Sequence, residues 1–164
     1  MDTAFFKKVA LFDGLTNEEL EVFSTKLKLQ KYKNGECIIK EAEVNDRLFI
    51  LYKGKVGISK KMTMIDKEEK KDKTFIVLSE QDRLFFGEIG ILDSSDTATA
   101  TAIAKTECEL YTINQKEFRK LCKNNPQIGY KVLFQISARL AKILKKTNTD
   151  VLKLTTALIY ALNN

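Results

Sequence analysis

Two glycines and one carboxylate lie among large apolar side chains at residues 85–92, the stretch whose residue types could do chemistry. Gly87 and Gly90 allow a tight turn and let a ligand approach the main chain closely. A short helical turn beginning here would direct backbone N–H groups outward, and such groups commonly hold anions. Glu88 would repel an anion, but it could accept hydrogen bonds from hydroxyl groups beside one, as a sugar offers. The alternative is a plain connection between strands, in which Glu88 is solvated.

The absence of two residue types narrows the chemistry that the chain can perform. It contains no histidine and no tryptophan. A Ser-His-Asp triad and a His-ligated metal are therefore excluded. Cys37, Cys108 and Cys122 are widely spaced and show no metal or redox spacing. We expect reduced thiols in a cytoplasmic protein, and we expect no enzyme, no catalytic residue, no metal and no required cofactor.

Length and composition are those of one globular domain. The chain has 164 residues, of which 44% are hydrophobic and 30% charged. The net charge of +6 permits an acidic partner, but an evenly lysine-decorated surface gives the same sum. The N-terminus lacks the apolar run of a signal peptide. No stretch approaches the roughly 20 apolar residues of a membrane span, so we expect no membrane association.

The elements that must position the 85–92 segment begin with helices and continue with short strands. Thr16 and Glu19 have the form of a capping box, with apolar residues at helical spacing behind them. From about residue 29, short β-rich runs separated by turns such as Asn34-Gly35 predict a compact sandwich or barrel. The lysine-rich residues 60–73 could be a basic contact patch, but their mixed charges favour a solvated hairpin tip.

The C-terminal part has helical periodicity. A short helix is predicted to end near Asn125-Pro126, and a long helix to run from there to about Leu162. Its apolar seam, interrupted at Thr147 and Asn148, must pack on the sheet, on a partner helix, or on both. We therefore expect a homodimer or a partner protein bound through this helix. The seam consists of Leu133, Ile136, Leu140, Ile143, Leu144, Val151, Leu154 and Leu158.

The chain has N-terminal helices, then short strands around the 85–92 segment, then a long last helix. With its elements in this order and spacing, it resembles the cyclic-nucleotide-binding domain of the catabolite activator protein and kinase regulatory-subunit superfamily. The resemblance is carried by residues 11–16, 46–56, 86–92 and 104–106, and by Asn125-Pro126 opening the last helix. It implies one domain over residues 1–164, mostly β with flanking helices. The implied parts are N-terminal helices at about 1–28, an eight-stranded double-stranded β-helix (jelly-roll) barrel at about 29–114, and C-terminal helices at about 115–162.

The resemblance also implies a phosphate-binding cassette with defined roles. The Gly87 amide would help to hold the cyclic phosphate, and Glu88 would accept from the ribose 2′-hydroxyl. The last helix would meet the base through Ile143 and Leu144. The implied ligand is a cyclic nucleotide, cAMP or cGMP. The implied contact residues are Phe86, Gly87, Glu88, Ile89, Thr97, Ala98, Thr99, Ile143 and Leu144.

One position departs from the family pattern. The family's phosphate-pairing arginine falls on Ala98, or on Thr97 if the loop is one residue shorter, and no arginine occurs between Arg83 and Arg119. Losing one partner of a charged pair commonly costs about 2–5 kcal/mol, a weakening of roughly 30-fold to several thousand-fold. Threonine hydroxyls, backbone N–H groups or Lys105 could offset part of this. Weak or absent cyclic-nucleotide binding is therefore predicted.

Two functions follow. The first is a non-catalytic ligand-sensing regulatory module, in which a ligand between cassette and long helix repositions that helix. The alternative is a degenerate pocket in a domain used for protein interaction or dimerisation through the long helix. Members of the family that act on promoters carry a helix-turn-helix after that helix. Since this sequence reaches only Asn164, we expect no direct DNA binding.

Overall fold

The computed structural model describes residues 2–60, 73–93 and 97–163, with the side chains of residues 73–75 excepted. Most of the lysine-rich stretch at 60–73 lies outside these residues, so the predicted hairpin tip stays a prediction. Residues 94–96 of the hydroxylated stretch after the cassette also lie outside them.

The chain begins with short helical elements. Helix α1 spans Thr3–Phe6, a 3₁₀ turn spans Ala10–Phe12, and helix α2 spans Asn17–Ser24. The predicted capping box is confirmed. The Thr16 N–H donates to Glu19 Oε2 at 2.8 Å, and the Glu19 N–H donates to Thr16 Oγ1 at 3.3 Å. These two bonds satisfy backbone donors that the first turn of α2 leaves unpaired.

Eight described strands form two four-stranded antiparallel sheets, in the orders β1-β8-β3-β6 and β2-β7-β4-β5. Two facing sheets of four strands agree with the predicted sandwich or jelly roll for these residues, but the predicted barrel is corrected, because the two sheets do not close into one. Most consecutive strands lie in opposite sheets, so they face one another across the core and do not pair edge to edge. Gly35, at φ 86°, supplies the predicted turn, but β1 pairs with β8 and β2 with β7. The strands are β1 Lys28–Tyr32, β2 Cys37–Ile39, β3 Arg47–Lys53, β4 Lys55–Lys60, β5 Lys73–Ser79, β6 Phe85–Phe86, β7 Thr101–Ala104 and β8 Cys108–Asn114.

The remaining helices follow the cassette and close the chain. Helix α3 spans Glu88–Leu92, α4 spans Gln115–Asn124, and α5 spans Pro126–Leu162. Pro126 lies in the first turn of α5, where a missing N–H costs nothing.

The first part of α5 packs against one of two apolar cores, whereas its second part is exposed. Ile128, Val132 and Ile136 are buried in a cluster with the N-terminal helices and the outer face of β3 and β8. A second cluster, which includes Phe49 and Phe86, lies between the two sheets. From residue 141 to residue 163 every described residue of α5 and its C-cap is exposed. Phe85 and Ile91 of the 85–92 segment belong to the same cluster as Ile136 of α5. This segment therefore lies near the point where α5 leaves the body of the fold.

Candidate ligand-binding site

The cassette is a two-residue strand, a left-handed glycine and a five-residue helix. Gly87 lies between β6 and α3 at φ 84°, a conformation that side chains rarely adopt. A Cβ at Gly87 would collide with the carbonyl oxygen of Arg47, and one at Gly90 with the carbonyl oxygen of Asn45. Both glycines are therefore required by the close approach of the first residue of β3 and of the loop before it.

That loop is braced by its own hydrogen bonds and by one to the segment that follows α3. Asn45 Nδ2 donates to the carbonyl of Arg47 at 2.9 Å, and Asn45 Oδ1 accepts from the Arg47 N–H at 3.3 Å. The Ala98 N–H donates to the carbonyl of Glu43 at 2.8 Å. Because this N–H is engaged, it cannot also donate to a bound phosphate.

A cavity of about 260 Å³ opens between the cassette and α5. Three strands of the second sheet, β2, β4 and β5, supply one wall, and the cassette supplies another. Arg139, Leu140 and Ile143 of α5 cover it. The strand residues in the wall are Ile39, Ile58, Ile76 and Leu78.

Eight of the nine residues predicted from the sequence line this cavity, and Leu144 does not. Leu144 is 62% exposed and lines a shallow groove on α5 with Ala141, Asn148 and Leu152. Because Ile143 and Leu144 are adjacent on a helix, they point about 100° apart and cannot both face the same cavity. The residues that line it are Phe86, Gly87, Glu88, Ile89, Thr97, Ala98, Thr99 and Ile143.

The carboxylate of the cassette is paired with a guanidinium from α5. Arg139 Nε donates to Glu88 Oε1 at 3.1 Å, and the Arg139 guanidinium carbon lies 4.8 Å from the centroid of the Phe85 ring. Glu88 is only 8% exposed. The prediction of a solvated Glu88 in a plain connection is therefore wrong. The pair ties the cassette to the last helix beside the cavity.

Sequence reasoning missed Arg139 as a residue of the site. The signal was available, because Arg139 precedes Ile143 by four residues and so shares its helix face. Lys105, considered as a replacement charge, packs over Gly57 and is not among the described residues that line the cavity.

Other chemistry finds no support in the described residues. No group of three or more His, Cys, Asp or Glu side chains among them could hold a metal ion. Within the same residues, no helix is long and apolar enough to cross a membrane. Cys37, Cys108 and Cys122 are free cysteines.

The chain belongs to the cyclic nucleotide-binding domain family, whose sequence model matches residues 29–125, more than half of its length. The cAMP-activated global transcriptional regulator CRP of Escherichia coli is 32% identical over 136 residues, which are 83% of this chain and 60% of that protein. The cAMP-dependent protein kinase regulatory subunit of Dictyostelium discoideum is 28% identical over 120 residues, 72% of this chain and 35% of that protein.

A solved structure shows the same fold. The catabolite activator protein of Thermus thermophilus superposes with a TM-score of 0.77 at 23% identity, covering 89% of this chain and 63% of that one. The curated relatives named above, a transcriptional regulator and a kinase regulatory subunit, are regulatory proteins. This chain spans less than two thirds of their length.

Proposed function

We propose that the chain is a non-catalytic, ligand-sensing regulatory module in which occupancy of the cavity repositions α5. The observation that carries this proposal is the ion pair between Glu88 and Arg139. It joins the cassette, which would read the ligand, to the helix that would report it. Leu140 and Ile143 extend the same helix face over the cavity. We further propose that the module works in the cytoplasm, as its free cysteines suggest.

The family supplies the first ligand class to test, a cyclic nucleotide such as cAMP or cGMP. The Gly87 amide would approach the phosphate, and Glu88 would accept from the ribose hydroxyl. Binding is proposed to be weak, because Ala98 replaces the arginine and its own N–H is engaged by Glu43. Arginine contributes a charge-assisted, bidentate contact to phosphate, so its absence costs about 2–5 kcal/mol.

The proposed signal passes through the ion pair. A ligand hydroxyl that donates to Glu88 competes with Arg139 for the same carboxylate. Since Arg139 is fixed to α5, weakening its bond changes the free energy of the helix position. A ligand can shift that position only by binding the two arrangements with different affinity.

The test combines binding with a helix readout. Calorimetric titration with cAMP and cGMP measures affinity, and amide hydrogen exchange over residues 126–143 reports α5. Saturable binding together with altered exchange in α5 supports the proposal. Glu88→Gln should weaken binding, whereas Glu41→Gln, a carboxylate that does not line the cavity, should leave it unchanged. No saturable binding at millimolar ligand would overturn the cyclic-nucleotide part.

A second candidate function is favoured by the exposed part of α5. Leu144, Val151 and Leu158 recur at every seventh residue, and Leu154 lies between them. Each of the four is more than half exposed. With these as a and d positions, the lysines at 142, 145, 146 and 153 fall at outward b, c and f positions. The pattern suits pairing with a second copy or with a partner helix.

Light scattering on designed variants tests this second function. Leu144→Asp/Val151→Asp introduces two charges into the seam and should abolish a dimer at micromolar concentration. Thr149→Asp/Thr156→Asp introduces the same two charges at outward f positions and should preserve it. A wild-type chain that is already monomeric would contradict self-association and leave only a partner protein.

A further inference from the structure

We propose that the cavity between α3 and α5 takes a small uncharged molecule, mainly apolar, that carries one hydroxyl or N–H donor. This inference rests on the proposed ligand-sensing function and names the ligand class. Three features of the described residues lead to it. They are the size and lining of the cavity, its charge balance, and one carboxylate oxygen without a donor.

The cavity is small and its walls are largely hydrocarbon. Its volume of about 260 Å³ lies below the range of about 300–1,000 Å³ that is usual for drug-sized ligands. Ile39, Ile58 and Leu78 supply aliphatic surface from the sheet, and Leu140 supplies it from α5. Burial of a matching apolar surface is the main favourable contribution that such walls offer. A compact apolar body therefore suits the space better than a polar one.

The charges of the described residues that line the cavity cancel. Among the described residues that line it, Glu88 is the one acid and Arg139 the one base, and they are paired at 3.1 Å. A ligand anion would contact Arg139 but would lie beside Glu88, leaving one uncompensated negative charge. A ligand cation would leave one uncompensated positive charge. Burying an unpaired charge is strongly unfavourable, so the site selects for neutral ligands.

One oxygen of the Glu88–Arg139 pair remains as an acceptor for a ligand donor. The bond from Arg139 uses Glu88 Oε1, and no described residue donates to Glu88 Oε2. Asn45 cannot substitute as the main polar contact, because both ends of its amide bind the backbone of Arg47. A carboxylate oxygen of a largely buried residue gains from a neutral O–H or N–H donor. One such donor, placed at the edge of an apolar body, fits this arrangement.

For the same reasons, we expect the cavity to bind a cyclic nucleotide less tightly than a neutral ligand. A cyclic nucleotide brings one negative charge. The family's arginine would fall on Thr97 or Ala98, and neither side chain is positively charged. Its hydroxyl could still donate to Glu88. Affinity for it is therefore retained only in part, whereas an uncharged ligand adds no net charge beside the Glu88–Arg139 pair.

Three ligands with one skeleton test the inference. 2-Phenylethanol, phenylacetate and 2-phenylethylammonium share a phenyl ring on two carbons and differ in charge. Titration of each into the full chain, followed by protein NMR, measures affinity. We expect the alcohol to bind at least about tenfold more tightly than either ion. Equal or tighter binding of phenylacetate would overturn the proposal, and so would no saturable binding of the alcohol.

Two variants separate a cavity effect from a nonspecific one. Ala98→Leu places a larger side chain in the cavity wall and should weaken binding of the alcohol, whereas Ala161→Leu, on the exposed end of α5, should not. If both variants bind the alcohol as wild type does, the cavity is not the site and the proposal fails. If cAMP binds and alters α5 while the alcohol does not bind, this inference fails and the proposed function stands. If the alcohol binds but neither ligand alters α5, the proposed function fails and the ligand class stands; if neither ligand binds, both fail.

Discussion

Arg139 Nε lies 3.1 Å from Glu88 Oε1, so the last helix holds the carboxylate that the family pattern assigns to the ligand's sugar. The pair lies beside an apolar cavity, and Arg139 also rests on the Phe85 ring. Any ligand that uses Glu88 therefore acts on a bond to α5. This relationship is the physical link between binding and helix position in our account.

Ala98→Arg should raise the affinity for cAMP or cGMP by at least about tenfold, because it restores a charge-assisted contact to the phosphate. Isothermal titration measures the change. Ala161→Arg adds the same charge on the exposed end of α5 and should leave affinity unaltered. If Ala98→Arg gives no gain, the pocket rejects the nucleotide for reasons other than the missing charge.

Arg139→Gln should lower the free energy of unfolding by about 1–3 kcal/mol, since it leaves the Glu88 carboxylate buried without its cation. This expected loss of unfolding free energy is smaller than is usual for a broken buried ion pair, because the Arg139 side chain is 27% exposed. Urea denaturation measures it. The double variant Glu88→Gln/Arg139→Gln should recover part of the loss.

A control for the previous experiment is the exposed pair of Lys31 and Glu109, whose side chains are 75% and 25% exposed. Lys31→Gln should change stability by less than about 1 kcal/mol. If Arg139→Gln is as mild as Lys31→Gln, the Glu88–Arg139 bond does not stabilise the cassette.

Gly90→Ala should destabilise the cassette, because the added Cβ meets the Asn45 carbonyl oxygen at a distance that no real contact allows. Overpacking of this kind costs about 1–3 kcal/mol. At Gly14 a Cβ meets nothing within 4 Å. Gly14→Ala should therefore destabilise the fold only through the backbone strain of a side chain at φ 85°. Thermal unfolding of the two variants should show the larger loss at Gly90, and the reverse order would contradict the observed approach of the loop.

The fold should also respond to acid through Glu19. The hydrogen bond from Lys131 and that from the Thr16 N–H hold the pKa of Glu19 below its ordinary value. A lowered pKa stabilises the fold above the pKa of the unfolded carboxyl, about 4.3, and this stabilisation disappears as the pH falls through the lowered pKa. Glu19→Gln should therefore be less stable than wild type at neutral pH, with the difference shrinking on acidification.

Urea denaturation across acidic and neutral pH checks this prediction. Glu21→Gln removes an exposed carboxylate from the same helix and should show no such trend. A Glu19→Gln deficit that is unchanged at low pH would mean that the capping geometry matters and the charge of Glu19 does not.

Local sequence patterns predicted the helices and strands, whereas the pairing of the strands depends on long-range packing. The Thr16–Glu19 box, the short strands and Pro126 each carry a local signal, and each predicts the structure that forms. Whether the strands close into a barrel depends on which strand pairs with which, and the spacing of turns does not encode pairing.

The residues of the site also fall into those that a local pattern identifies and those that only packing brings together. Gly87 and Glu88 are adjacent, so a short pattern identifies them. Arg139 lies 51 residues after Glu88, and only the packing of α5 brings the two together. Leu144 was predicted beside Ile143 by resemblance, and the helical turn directs it elsewhere. Positions set by helix rotation need the fold to be known.

Methyl NMR of the isoleucine side chains tests the central claim, that ligand binding between cassette and α5 moves that helix. Ile39, Ile89 and Ile143 line the cavity, Ile136 reports the buried part of α5, and Ile159 on its exposed end serves as a control. We predict saturable shifts of the cavity methyls and of Ile136 on titration with 2-phenylethanol, smaller ones with cAMP, and none at Ile159. Shifts absent from all cavity methyls with both ligands would contradict the account.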